Sequence, residues 1–198
     1  MALPGQSQCG PLPHRVLDGA ARCRWVVRQP RAAPLSPRSR DDLRVTDEVL
    51  AGQADYYRRR AVEYEVTAYG DVVLARARIA RLVAEMQPTG TVLEIACGTG
   101  LWTEALAGLA DTVTAIDVAP EAVAIARDRV RSKNVRFEVV DAFSWTTAAH
   151  FDVTFFAAWL SHVPMSRFEQ FWQLLRGLLA EGGRVLFVDD VPHHQELL

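Results

Sequence analysis

The fold of this chain is decided by seven residues: Glu94-Ile95-Ala96-Cys97-Gly98-Thr99-Gly100. They follow the short apolar run Thr91–Leu93 and precede a helical pattern that begins at Leu101. This order predicts a buried strand, a tight turn and the start of a helix. Because Gly98 and Gly100 have no side chain, such a turn lets a ligand approach the backbone closely. The alternative is an ordinary strand-to-helix turn without a ligand, which many α/β proteins contain.

Composition indicates one globular domain with a tail, since the 198 residues are 49% hydrophobic and 23% charged. No stretch approaches the 18 apolar residues that would indicate a membrane span. Three cysteines, Cys9, Cys23 and Cys97, have neither paired spacing nor the spacing of metal ligands. We therefore expect a reduced, cytoplasmic setting and no metal.

Charge is distributed unevenly along the chain. Residues 1–44 contain eight Arg against three Asp, whereas the remainder contains 14 basic and 21 acidic residues. The acidic part argues against binding to a nucleic-acid backbone.

Residues 1–44 are also rich in Pro, Ala and Gly without helical or strand periodicity, which predicts a disordered extension. An organelle transit peptide or a segment that binds an acidic partner are the alternatives. We expect the folded domain to comprise residues 45–198, with Thr46 or Asp47 as its first helix N-cap.

Helical periodicity extends from Asp47 to Met86, with a break at Gly70–Asp71, and strands and helices alternate after it. The predicted strands are Thr91–Ala96, Thr112–Asp117, Val135–Val140, Phe151–Phe156 and Arg184–Val188. The predicted helices are Leu101–Ala110, Pro120–Lys133 and Met165–Leu179. This alternation predicts an α/β fold with a doubly wound, Rossmann-like parallel sheet in the order 3-2-1-4-5. Its ligand should lie at the carboxyl ends of the strands.

Acidic residues end two further predicted strands. Asp117 ends strand two, 17 positions after Gly100, where a carboxylate can accept hydrogen bonds from ribose hydroxyls. Its alternative role is to cap the helix that starts at Pro120. Asp141 follows strand three and is either a ligand-binding residue or a solvated loop residue.

These features together resemble the class I S-adenosylmethionine-dependent methyltransferases, whose first motif is acid-x-Gly-x-Gly-x-Gly after strand one. Ala96 takes the first small position here, and the resemblance covers roughly residues 50–190. It implies S-adenosyl-L-methionine as the cofactor. A Tyr-x-x-x-Ala-x-x-Tyr helix that covers the cofactor in many bacterial members is matched by Tyr57 and Tyr64, whose alternative role is core packing. The implied cofactor-binding residues are Tyr57, Tyr64, Glu94, Ala96, Cys97, Gly98, Gly100, Asp117, Val118, Asp141, Ala142 and Ala158.

The resemblance also implies a mechanism in which the protein aligns a methyl acceptor and excludes water. We expect a small-molecule acceptor, without nucleic-acid or membrane partners. His162, which follows strand four, is the candidate general base, although a structural role would also explain it. Asp189 and Asp190, after strand five, are the second candidates.

Two other functions remain open from the sequence. A nicotinamide-dependent oxidoreductase would need Gly or Ala three positions after the second glycine, where this chain has Thr103. The other is a catalytically impaired cofactor-binding domain. The methyltransferase family normally adds a helix and two antiparallel strands, whereas only Val191–Leu198 follow Asp190 here. We therefore expect a C-terminally truncated domain with strand five at an open edge, available for self-association.

Overall fold

A computed structural model describes residues 22–27, Gly52 and residues 69–190 of the chain. Its strands are β1 Arg22–Val27, β2 Thr91–Ile95, β3 Thr112–Asp117, β4 Val135–Val139, β5 Phe151–Ala157 and β6 Leu179–Asp190. Its helices are α1 Val72–Met86, α2 Leu101–Ala107, α3 Pro120–Arg129 and α4 Phe168–Leu178. Two short 3₁₀ turns, Leu160–His162 and Met165–Arg167, connect β5 to α4.

The strands form a single sheet in the order β1-β6-β5-β2-β3-β4. The five strands from β2 to β6 are parallel to their neighbours in this group. Numbered from β2, they have the order 3-2-1-4-5, so the predicted Rossmann-like topology is confirmed. The order reverses between β2 and β5, and ligands of open α/β sheets bind at such a reversal, outside the carboxyl ends of the strands.

Both faces of the sheet are covered, because alternate residues of the buried strands point to opposite sides. Val92 of β2 packs in one core cluster with Val83 of α1 and Leu106 of α2. Leu93 packs on the other side with Phe171 and Leu175 of α4. The helices therefore hold β2 rigidly in the middle of the molecule, and the turn after β2 inherits that position.

The edge beside β6 differs from our expectation. The backbone of Arg22–Val27 forms β1, which pairs antiparallel with β6 from Arg22 opposite Asp190 to Val27 opposite Val185. We expected residues 1–44 to lack strand structure, which is wrong for Arg22–Val27. We also expected strand five to be an open edge, which is wrong because β1 pairs with it. The predicted self-association through that edge loses its physical basis, since β1 now occupies it. The boundary between residues 44 and 45 stays a prediction.

Element ends also differ slightly from the predicted ones. The predicted Gly182–Gly183 turn is an irregularity within the longer strand β6, where the register with β5 shifts between Phe151 and Val153. The predicted helix Met165–Leu179 begins instead as a 3₁₀ turn and becomes α-helical at Phe168. The predicted first helix, with Tyr57 and Tyr64, lies outside the described residues. Within the described part of the chain, no helix is long and apolar enough to cross a membrane.

Candidate functional site

The turn after β2 has an unusual backbone, with three residues in the left-handed region. They are Ala96 at φ 57°, Gly98 at φ 54° and Gly100 at φ 84°. The turn is held by a hydrogen bond from the Cys97 amide to the Ile116 carbonyl and one from the Gly100 amide to the Cys97 carbonyl, each 3.0 Å long. Such a conformation is open to glycine but strained for alanine.

The two glycines of this turn serve different purposes. A Cβ atom at Gly100 would lie 2.9 Å from the Cβ atom of Ala126, so this glycine allows α3 to pack against the turn. A Cβ atom at Gly98 would meet no described atom within 4 Å. The backbone of Gly98 therefore borders open space, as expected of a turn that a ligand approaches.

Glu94, just before the turn, is 2% exposed. Its Oε2 atom has no hydrogen-bond partner among the residues that the structure describes. Burial raises the pKa of Glu94 to about 8, while the neighbouring Thr103 hydroxyl lowers it and the charge of Asp117 raises it further. A buried carboxyl group with an unpaired oxygen is costly unless a ligand satisfies it. A bound cation or hydrogen-bond donor would favour the ionised carboxylate, so the site can accept a ligand group of that kind.

Asp117, at the end of β3, connects two loops through its carboxylate. Its Oδ2 atom accepts a hydrogen bond from the Gly98 amide, and its Oδ1 atom accepts one from the Ala119 amide, both 2.8 Å long. Burial raises the pKa of Asp117, and these amide bonds oppose the rise. The N-cap of α3 is Ala119, which has no side chain that could cap it. Asp117 therefore braces the glycine turn.

Four of the other sequence-predicted cofactor residues lie around this edge in different environments. Cys97 is buried, and desolvation raises the pKa of its thiol well above the ordinary value, which fits a packing residue better than a nucleophile. Ala142 is buried after β4. Asp141, next to it, is exposed and accepts a hydrogen bond from the Phe143 amide through Oδ1. Val118 is partly buried, next to Asp117 in the chain.

The loop after β5 forms the other side of the site. Ala158 also has a left-handed backbone, at φ 50°, and its amide donates to the Val188 carbonyl. His162 ends the first 3₁₀ turn and is partly buried. Burial lowers the pKa of His162, whereas the charge of Asp189 raises it. Neutral imidazole is therefore favoured at neutral pH, as a general base requires.

Asp189, the second candidate for a general base, is bonded to the loop after β5. It is 8% exposed, and its Oδ2 atom accepts hydrogen bonds from the amides of Leu160 at 2.6 Å and Ser161 at 3.3 Å. A carboxylate that serves backbone amides is held in place by them. No side-chain environment is described for Asp190.

Sequence reasoning missed two residues that shape the site. Arg129 of α3 donates from Nη1 to the carbonyl oxygen and to the hydroxyl of Thr99, within the glycine turn. Thr103 of α2 is completely buried and its hydroxyl affects the pKa of Glu94. No motif marks Arg129, whereas a Thr three positions after the second glycine was visible in the sequence.

Comparison with known proteins now identifies the family. A family described as a methyltransferase domain matches residues 92–183. The solved complex of DhpI with SAH is 45% identical, with a TM-score of 0.64, and the match covers 71% of this chain and 69% of that one. This chain belongs to the class I S-adenosylmethionine-dependent methyltransferases. The complex of DhpI with SAM and HEP is 43% identical, with a TM-score of 0.66 and coverage of 75% and 69%.

Curated relatives match a shorter part of this methyltransferase. The ubiquinone biosynthesis O-methyltransferase of Xanthomonas axonopodis pv. citri (strain 306) is 37% identical over 92 residues, 44% of this chain. The matched part of this chain spans only 38% of that relative's length. The predicted family and its cofactor, S-adenosyl-L-methionine, are thus confirmed. A nicotinamide-dependent oxidoreductase is not favoured.

The described residues fit this cofactor. The unpaired Oε2 atom of Glu94 lies near the end of β2, and the open space beside Gly98 lies in the turn that follows. Asp117 is bonded to that turn. A ligand with a positive charge, hydrogen-bond donors and a close approach to the backbone satisfies each of these features.

Proposed function

We propose that this methyltransferase transfers a methyl group from S-adenosyl-L-methionine to a hydroxyl oxygen of a small-molecule acceptor. The observation on which the proposal chiefly rests is the buried Glu94 carboxyl group with an unpaired oxygen, next to the open backbone of Gly98. The choice of oxygen rests on the curated relatives, several of which are named O-methyltransferases. The small-molecule class rests on the ubiquinone biosynthesis enzymes among them.

When bound, S-adenosylmethionine would supply a methyl group attached to a positively charged sulfur. An acceptor oxygen can bond to that methyl carbon in line with the sulfur, which leaves as S-adenosylhomocysteine. Glu94, Gly98 and Asp117 would hold the cofactor on the β2 and β3 side of the site. Asp117 would offer the ribose hydroxyls the remaining acceptor capacity of its carboxylate. Tyr57, Tyr64, Ala96, Cys97, Gly100, Val118, Asp141, Ala142 and Ala158 complete the proposed cofactor residues.

On the acceptor side, His162 would take the proton of the acceptor hydroxyl. The lowered pKa keeps its imidazole neutral near pH 7, so a ring nitrogen can accept that proton. Trp159, at the start of the same loop, has a buried Nε1 atom without a hydrogen-bond partner among the described residues. An indole N–H is only a donor, so it would hold an oxygen of the acceptor.

The acceptor proposal predicts which functional groups a substrate needs. It should present one hydroxyl to His162 and a second oxygen to Trp159, in a molecule small enough to enter between the strand-end loops. A catalytically impaired domain would bind the cofactor but methylate no such compound. Methylation of hydroxylated small molecules with labelled S-adenosylmethionine, compared with His162→Gln, distinguishes these functions.

Binding of the cofactor is tested by calorimetry and thermal unfolding with S-adenosylhomocysteine and, separately, with NADH. We expect S-adenosylhomocysteine to raise the Tm, as a ligand of the native state does, and NADH to leave it unchanged. Gly98→Ala should abolish the rise, because the new methyl group projects into the space that the ligand needs. Stabilisation by NADH alone would contradict the proposal.

Gly182→Ala is the matched control for Gly98→Ala. Gly182 also has a left-handed backbone, at φ 76°, and no described atom lies within 4 Å of the position that a methyl group would occupy there. It lies near the start of β6, at the end of the sheet opposite to the glycine turn. Both substitutions therefore introduce similar backbone strain, and only the first should change ligand binding.

A further inference from the structure

The loop after β5 is attached to the end of β6 by a buried side chain. Asp189, 8% exposed, accepts hydrogen bonds through Oδ2 from the amide of Leu160 at 2.6 Å and from that of Ser161 at 3.3 Å. These amides open the 3₁₀ turn that ends at His162. Neither amide takes part in the regular hydrogen bonding of a strand or of an α-helix. The carboxylate therefore supplies the acceptor that secondary structure would otherwise provide.

The first residue of this loop is already fixed in a different way. The Ala158 amide donates to the Val188 carbonyl at 2.7 Å, which continues the pairing of β5 with β6 by one residue. After Ala158 the backbone turns away from the sheet. The Asp189 carboxylate then holds the next amides in the loop, so β6 controls the path of the chain from Ala158 to Ser161.

This attachment determines where His162 lies. Its amide donates to the Trp159 carbonyl within the same turn, so the turn moves as a unit with its first residues. The charge of Asp189 acts on the imidazole as well, against the effect of burial. One residue thereby influences both the place and the protonation of the proposed base.

We propose that Asp189 is a positioning residue, which holds the turn Leu160–His162 so that the His162 imidazole faces the methyl acceptor. This inference rests on the proposed function, because His162 is the base only if the chain methylates a hydroxyl group. In this role Asp189 acts through the turn and not on the acceptor. Its two amide bonds fix the turn, and its negative charge stabilises the imidazolium that forms when the proton is transferred.

The test uses the full chain and needs no acceptor. Amide hydrogen exchange is measured in the wild type, Asp189→Asn and Asp189→Ala, and the His162 pKa is measured by NMR, with His162→Gln for assignment. In Asp189→Ala, exchange at Leu160 and Ser161 should rise more than tenfold. The Ala158 amide, which is bonded to Val188, should keep its protection. In Asp189→Asn the remaining carbonyl oxygen holds the turn in part, and the His162 pKa should fall because the charge is lost.

Asp152 provides the matched control, because its carboxylate also accepts a hydrogen bond from a backbone amide, that of Thr91, at 2.8 Å. It lies at the opposite end of β5, so Asp152→Asn should leave His162, Leu160 and Ser161 unchanged. If Asp189→Ala does not fold, Asp189→Asn still decides. Unchanged exchange and an unchanged His162 pKa in that variant would overturn the inference. Failure of the wild type to bind S-adenosylhomocysteine would instead overturn the proposed function, whatever the Asp189 variants show.

Discussion

At the scale of single residues, Glu94 combines almost complete burial with an unpaired oxygen. Its pKa of about 8 in the folded chain lies well above the value of about 4.3 of an unfolded one. Between these values the folded state binds more protons than the unfolded state, so the free energy of unfolding should fall as the pH rises. Asp117, whose pKa is also raised, contributes in the same direction from a lower starting pH.

Glu94→Gln should therefore lose a large part of this pH dependence. At pH 8 the wild type should have lost on the order of 4 kcal/mol that it retains near pH 4, and the variant should have lost much less. Urea unfolding at several pH values measures the slope. Glu121→Gln, which removes an exposed carboxylate of α3, controls for net charge. Equal slopes in wild type and Glu94→Gln would show that another group titrates.

The backbone of Ala96 is strained, because this non-glycine residue has a φ of 57°. Ala96→Gly should stabilise the fold by about 1 kcal/mol, because glycine adopts the left-handed region without the clash of a Cβ atom. Chemical denaturation measures the change.

The control for Ala96 is Ala115→Gly in β3. Ala115 is fully buried and outside the left-handed region, so the same substitution removes packing and relieves no strain. It should destabilise the chain by about 1–2 kcal/mol. Destabilisation by both substitutions would mean that the Ala96 methyl group contributes more through packing than its backbone costs.

At the scale of elements, Gly100 determines how closely α3 approaches the turn after β2. A methyl group here would contact the Ala126 Cα atom at 3.0 Å as well as its Cβ atom, and backbone atoms cannot move aside easily. Gly100→Ala should destabilise the fold by about 2–4 kcal/mol, from overpacking and left-handed strain together. Gly98→Ala should cost only about 1–2 kcal/mol, from strain alone. Similar losses of unfolding free energy in the two variants would contradict this division of roles.

Among the elements, the parallel strands were predicted best from the sequence. The parallel strands β2 to β5 were predicted to within a residue at each end, because buried parallel strands are short apolar runs bounded by turn residues. Glu94, Gly98 and Asp117 could be placed together because the carboxyl ends of such strands share one edge. The hydrogen bond from the Gly98 amide to the Asp117 carboxylate could not be predicted.

Interactions between distant segments were missed for a common physical reason. β1 pairs with β6 across about 160 residues of sequence, and edge pairing depends on a partner that local patterns do not specify. The abundance of Pro and Arg in residues 1–44 favoured an irregular segment. Asp189 was predicted to act on the acceptor. Its hydrogen bonds with backbone amides were missed, because those amides are 28 and 29 residues away in the sequence.

At the scale of the whole molecule, β1 completes the sheet beside β6. β6 has apolar, buried residues such as Leu186 and Phe187 on its two faces, and an open edge of that kind pairs readily with other chains. Deleting residues 1–27 should expose this edge, whereas deleting residues 1–21 leaves β1 in place. We expect the longer deletion to lose roughly 1–6 kcal/mol of unfolding free energy, from six cross-strand pairs at about 0.2–1 kcal/mol each.

Sedimentation velocity over a concentration series measures the second consequence of that deletion. The chain without residues 1–27 should associate increasingly with concentration, while the chain without residues 1–21 should sediment like the intact one. Because S-adenosylhomocysteine would bind at the β2 and β3 side of the sheet, its affinity should change little in either form. Equal stability and equal sedimentation of the two shortened chains would show that β6 needs no partner strand, and that the side chains along its edge protect it by themselves.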